Sequence, residues 1–199
     1  MRLQILDAAV RLIEEKGERG LRLRDVAASA GIAEPTLYHY FPNRDALVVA
    51  AHAQRYRTEL AVTVEPFLPA VQDCKSKEEF ITILQSVFVH SFNPERAPIR
   101  ATRAEVIGSA YRRESLRREV SEAMMDSLAA TIEALKLAQS RGWLRNDVDP
   151  RAFAIFNLSL ISGLIFPEIQ SDDSLLDQWK RLAIEAATAL ATGEPSPDR

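Results

Sequence analysis

The chain is predicted to be all-α. Apolar residues recur at spacings of three and four over nearly all of the 199 residues, and only 7 glycines interrupt them. A hydrophobic fraction of 47% is too high for a disordered chain. The length suffices for a small head joined to a larger helical body.

Taken in order, the first helix runs from about Leu3 to Lys16. Leu6, Ala9, Val10 and Ile13 form its inner stripe, and Gly17 ends it. The second, about Leu23 to Ala30, repeats apolar residues at Leu23, Val26, Ala27 and Ala30 and closes at Gly31. The third begins at Glu34-Pro35, where a proline lacks no bond the helix needs, and stops at Phe41-Pro42. Asn43 is the N-cap of a fourth helix that continues through Arg57 towards Val64, with Pro66 and Pro69 expected to break it. Ser76 with Glu79 makes a capping box for the next helix, which carries Phe80, Ile83, Leu84, Val87 and Phe88. Pro94 and Pro98 bracket a junction. Helices then follow near Ile99–Ser109 and Glu114–Ser140, the latter ended by Gly142. Asp149-Pro150 opens a charge-poor helix reaching Pro167, and a last helix spans about Ser174 to Thr192.

Several classes of function find no support. The motifs of phosphate-binding, dinucleotide-binding and serine-hydrolase sites are absent, and His39, His52, Cys74 and His90 lack metal-ligand spacing. No catalytic residue, metal or cofactor is therefore assigned. A single cysteine, Cys74, suits a reducing compartment, and the acidic N-terminal stretch does not read as a signal peptide, so a cytoplasmic location is expected. The charge-free run from Ala152 to Pro167 is shorter than the roughly 20 residues of a spanning helix and reads as a helix buried in protein, so no membrane partner is assigned. The net charge of −3 neither announces a nucleic-acid binder nor excludes one.

Two short helices joined by a glycine turn, after a longer helix, make a helix-turn-helix. The segments "ILDAAVRLIEEKG", "LRDVAASAGI" and "PTLYHYFPNRDAL" resemble the DNA-binding domain of the tetracycline-repressor (TetR) family over residues 3 to 48. The resemblance implies a domain at 1–47 that reads double-stranded operator DNA and a helical effector-binding and dimerisation domain at 48–192, with a flexible tail at 193–199. It implies that Glu34, Pro35, Thr36 and His39 face the major groove, that Tyr38 and Tyr40 flank it, and that Tyr38 and Arg44 hold phosphates. Where many relatives place hydroxyl caps, this chain has Arg22 and Ala33. Neither cap is present, and Arg22 substitutes a longer-range charge. Glu34 either accepts from a cytosine amino group or discourages non-specific binding. Residues 1 to 50 carry seven basic and seven acidic side chains, so affinity is expected to lean on dimeric docking more than on a basic patch.

In the larger domain, Phe88, His90, Glu105, Met124, Leu128, Phe156 and Asn157 are the candidates for contact with a small-molecule effector, the alternative for each being ordinary core or surface. The last two long helices have apolar residues on more than one face. Family members pair these helices across a two-fold axis, which implies a homodimer contact through Phe153, Ser159, Ser162, Phe166, Trp179, Ala183, Ala186 and Leu190. The expected function is a ligand-responsive transcriptional regulator, in the first place a repressor released from its operator by a small molecule. The alternative is a helical ligand-binding or interaction protein of the same fold that has lost specific DNA binding.

Overall fold

The computed structural model describes residues 1–64 and 67–193, and the side chains of 59–64 are not described. The expected break at Pro66, and the tail from Glu194 onward, lie outside the described residues. All regular elements among them are helical: α1 (Arg2–Gly20), α2 (Leu23–Ser29), α3 (Glu34–Tyr40), α4 (Arg44–Val64), α5 (Phe67–Asp73), α6 (Lys77–Ser91), a 3-10 turn at Pro94–Arg96, α7 (Ala97–Ala110), α8 (Glu114–Ser140), α9 (Pro150–Gly163), α10 (Ile165–Gln170) and α11 (Asp173–Thr192). They form two compact units, Met1–Leu60 with Glu105–Met125, and Ala61–Ala104 with Asp126–Arg199. The first unit therefore joins the N-terminal helices to the end of α7 and the beginning of α8, a grouping that chain order does not suggest.

The first unit is built on α1. Ile5, Leu6, Ala9, Leu12 and Ile13 are buried with Val26, Ala27 and Ala30 of α2, Leu37 of α3 and Leu47 and Val48 of α4. Regular α1 ends at Gly17, whose φ of 70° and ψ of 163° kink the chain before one further turn to Gly20. The α2–α3 turn places Gly31 at φ 66°, and the Ile32 amide donates back to the Ala27 carbonyl at 3.0 Å. Gln4 Nε2 donates to the Ala30 carbonyl at 2.9 Å, tying this turn to α1. Asn43 Oδ1 accepts from the Ala46 amide at 2.8 Å and so caps α4, as its position suggests. Neither Arg22 nor Ala33 makes a side-chain cap.

In the second unit the caps again follow local sequence. Ser76 Oγ accepts from the Glu79 amide, Asp149 caps α9, and Asp172 caps α11, which starts at Asp173, one residue before its expected start. Buried Ala183, Ala187 and Ala191 form the inward stripe of α11, which packs on α6, α9 and α10. Gly163 lets Trp179 lie against α9, since a Cβ there would come within 2.9 Å of its ring. Arg141 beyond α8 donates to the carbonyls of Val71, Gln72 and Cys74, and its guanidinium lies 4.9 Å from the centre of the Trp143 ring. Arg100, buried in α7, pairs with Glu168 of α10 and donates to the Ser91 carbonyl at 2.7 Å.

Three expectations are corrected. Pro69 does not end a helix but sits in the first turn of α5, where its missing N–H has no partner to lose. The run expected as one helix to Pro167 divides at Leu164 into α9 and α10, and Ser171 closes α10 in the left-handed conformation. That run is also far from fully buried. Taken together, Pro150–Gln170 is 21 residues with a mean hydropathy of 1.7, long and apolar enough to cross a bilayer by composition, and 33% of it is buried here. The exposed remainder includes Ile155, Phe166 and Ile169.

The positive φ at Gly17 generates the first prediction. Gly17→Ala should cost about 1–3 kcal/mol, because φ 70° with ψ 163° is a conformation essentially reserved for glycine. In thermal unfolding the midpoint should fall by about 2–4 °C for each kcal/mol.

Candidate nucleic-acid interface

Helix α3 is held by two side chains on one face. Leu37 is 1% exposed and Phe41 is buried beside it in the α1–α2–α4 core, as their four-residue spacing predicts. Arg2 covers the outer side of Phe41, its guanidinium 5.4 Å from the ring centre. With that face fixed, the opposite face is open. Glu34, Pro35 and His39 are exposed, Tyr38 is 48% exposed, and Tyr40 stands edge-on to His39 with ring centres 5.4 Å apart. Thr36 is half-buried. Arg22, at the start of α2, is exposed. The result is a short helix that carries hydrogen-bonding and charged groups outward on a rigid core, with the exposed Arg22 at the N-cap of the neighbouring helix.

Arg44, expected to hold a phosphate, is engaged with backbone carbonyls here. Its Nε donates to the Leu21 carbonyl at 2.9 Å, and a terminal nitrogen donates to the Glu18 carbonyl. The Glu18 carbonyl accepts from the Leu21 amide at 3.2 Å as well, so the Arg44 guanidinium adds to the closure of the α1 end and ties the following Leu21 carbonyl to α4. In this structure it acts as a cap that ties α4 to the end of α1.

Behind the reader lies a polar junction that the sequence did not point to. The Glu18 carboxylate accepts from the Arg113 guanidinium through both oxygens, from Ser109 Oγ at 3.0 Å and from His52 Nε2 at 3.2 Å. Arg113 Nε also reaches Asp45 in the first turn of α4 at 3.2 Å. Beside this cluster, Arg55 of α4 pairs with Glu105 at 3.2 Å and approaches Glu14 at 3.7 Å. The Arg113 hydrogen bond, opposed by burial and aided by Ser109, lowers the Glu18 carboxyl from its ordinary 4.5 to about 2. Burial lowers the His52 imidazole against the pull of Glu18.

The arrangement is matched in known proteins. Residues 5–51 match the family described as bacterial regulatory proteins, tetR family. The N-terminal helices thus carry the sequence pattern of that family's helix-turn-helix domain. It is 29% identical over 133 residues to an HTH-type transcriptional regulator in the dhlA 5′ region of Xanthobacter autotrophicus, covering 63% of this chain and 64% of that protein. It spans less than two thirds of the length of the curated relatives it matches first. Among solved structures, a TetR-family transcriptional regulator from Rhodococcus sp. superposes with a TM-score of 0.69 at 24% identity, covering 96% of this chain and 98% of that one. The transcriptional regulator FadR from Bacillus subtilis, in complex with stearoyl-CoA, gives a TM-score of 0.60 at 19% identity, covering 96% and 99%. These two likenesses establish the fold.

The structure places the other candidate residues as follows. Glu105 belongs to the first unit and pairs with Arg55, so it does not anchor a pocket in the body. His90 is exposed on α6, 2.6 Å from Arg96. Phe88 and Leu128 are buried and Phe156 and Asn157 half-buried in the second unit, while half-buried Met124 falls in the first. Phe153 and Ala183, assigned to a dimer face, are 3% exposed and turn inward within their own unit. The same helices expose Ile155, Ser159, Phe166, Leu175, Leu182 and Leu190 instead. Trp179, Ser162 and Ala186 are half-buried.

A carboxyl with a depressed folded pKa adds stability above its unfolded pKa and loses it as the pH falls through the folded one. Between pH 4.5 and about 2, the parent midpoint should therefore decline more steeply than that of Glu18→Gln. Thermal unfolding followed at several pH values checks this, and parallel slopes would remove Glu18 from the acid transition.

Proposed function

We propose that the protein is a dimeric, ligand-responsive transcriptional regulator that reads operator DNA with α3. The observation that carries this reading is the division of α3. Leu37 and Phe41 lock one face into the core, while Glu34, Pro35, Tyr38 and His39 stand free on the other. A reader needs this rigidity, because base-edge hydrogen bonds discriminate only when the donor and acceptor positions are held. Glu34, in the first turn, accepts from a cytosine N4 amino group. His39 and Thr36 meet neighbouring base edges, and Tyr38 and Arg22 hold phosphates.

The second half of the reading is the dimer. Leu175, Trp179, Leu182, Ala186 and Leu190 lie at helical spacing along α11, with Leu182 61% exposed. Phe166 and Ile169 of α10 are 70% and 71% exposed. Large apolar groups grouped in this way are covered by a partner in soluble proteins, and a second copy supplies an identical face across a two-fold axis. Two copies place two readers on two half-sites, each about one turn of DNA from the other or a multiple of it.

The effector site is assigned to the second unit. There the Asn157 Oδ1 and the Thr131 Oγ1 are buried and, among the described residues, without a hydrogen-bond partner, in a unit whose apolar interior includes Phe88, Leu128 and half-buried Phe156. Groups of this kind are expensive to leave unanswered, and a bound small molecule with a donor for Asn157 would answer them. A repressor released by such a molecule is the form of regulation that suits the assignment. No catalytic role is assigned.

Two outcomes test this reading. Selection from random duplexes should enrich a two-half-site sequence, and Glu34→Gln should lower affinity for it by about 1–3 kcal/mol and relax the preference at one symmetric position. An unchanged preferred base at every position would remove Glu34 from base readout. Leu182→Glu should convert a micromolar dimer into a helical monomer in sedimentation. A monomeric parent would remove the two-half-site mechanism.

A further inference from the structure

The junction between Glu18, Arg113 and Asp45 lies outside the reading surface, and it joins α1 and α4 to the turn between α7 and α8; Arg55–Glu105 and Arg57–Glu119 add single ion pairs from α4 to α7 and α8. Arg113 stands between α7 and α8, at the residue before Glu114. Its guanidinium donates to both oxygens of Glu18 on the end of α1 and lies 3.2 Å from Asp45 in the first turn of α4. Asp45 follows the reader by only five residues, through Phe41, Pro42, Asn43 and Arg44. One side chain from the α7–α8 turn thus holds both helices that frame α3. Ser109, on the last turns of α7, donates to the same carboxylate, and His52 of α4 closes the ring of donors. The apolar core holds α1, α2, α3 and α4 to one another, whereas Arg113 attaches them to the turn by directional bonds. A guanidinium fork constrains orientation as well as distance.

We propose that Arg113 is a positioning residue for DNA reading: by gripping Glu18 and Asp45 together it fixes the angle at which the head presents α3, and its release loosens that angle, because the remaining α4 pairs, Arg55–Glu105 and Arg57–Glu119, do not hold α1 and α4 to one point. The proposal rests on the assignment of α3 as the reader. A single head still docks on a half-site after release, because its core is intact. Simultaneous docking of two heads is what suffers, since a head free to tilt must be ordered again on every binding event. The half-buried position of Arg113 and Glu18 protects the pair from screening more than an exposed pair would be.

Two duplexes obtained by selection on the parent protein serve as probes, one with both half-sites and one with a single half-site. Arg113→Ala and Asp45→Asn should weaken binding to the first by about 5- to 150-fold, the span of an ordinary coupling, and leave binding to the second unchanged. Arg113→Lys keeps the charge without the fork and should fall between them. Parent-like affinity of Arg113→Ala for the two-half-site duplex would overturn the proposal. So would an equal loss on both duplexes, which marks a damaged reader rather than a loosened one. A parent that selects no duplex removes the reading assignment itself, and the junction is then judged without DNA. With Cys74 replaced by serine and a spin label on Ser29→Cys, Arg113→Ala should broaden the distance distribution between the two heads of the dimer. An unchanged distribution would overturn the grip.

Discussion

The burial of Leu37 and Phe41 is the constraint on which the reading surface depends. A seven-residue helix has little stability of its own, because nucleation in water is costly and few backbone bonds offset it. Here α3 exists because two side chains four residues apart enter a core already assembled from α1, α2 and α4. The same two anchors decide, by the geometry of the helix alone, which residues face outward. No polar side chain of α3 needs to be specially oriented; the anchors orient them all.

The bonds of α1 to the rest of its unit differ in kind from that core. Up to Lys16 the helix is packed by apolar contact. Beyond the kink at Gly17 it becomes polar, and its carbonyls and the Glu18 carboxylate are satisfied by Arg44, His52, Ser109 and Arg113. Apolar contact tolerates small sliding. A forked, charge-assisted bond does not, so one end of the head is defined by shape and the other by direction.

Much of the architecture was legible because its determinants are local. Asn43, Ser76 and Asp149 cap the helices their positions announce, and Gly17 and Gly31 stop theirs. Pro69 misled because a proline reads alike as a helix end or a helix start, and only the chain preceding it decides. On α9 the pattern failed for a different reason. Residues are apolar all round, so periodicity could not say that Phe153 faces inward and Ile155 outward, two positions about 200° apart on the helix. Arg44, Glu105 and Arg113 are the harder cases. Each pairs with groups from 23 to 95 positions away, and nothing in its own neighbourhood marks the partner.

The even charge of the N-terminal head has a consequence for how such a reader would find its target. Non-specific attachment to duplex DNA is almost wholly electrostatic, and it is what lets a protein slide along the backbone between encounters. A head with as many carboxylates as cations, some of them already bonded to each other, holds random DNA weakly. Its search would then proceed by repeated collision from solution rather than by travel along the strand. Such a regulator would spend little of its time parked on irrelevant sequence, and its occupancy would follow its concentration closely.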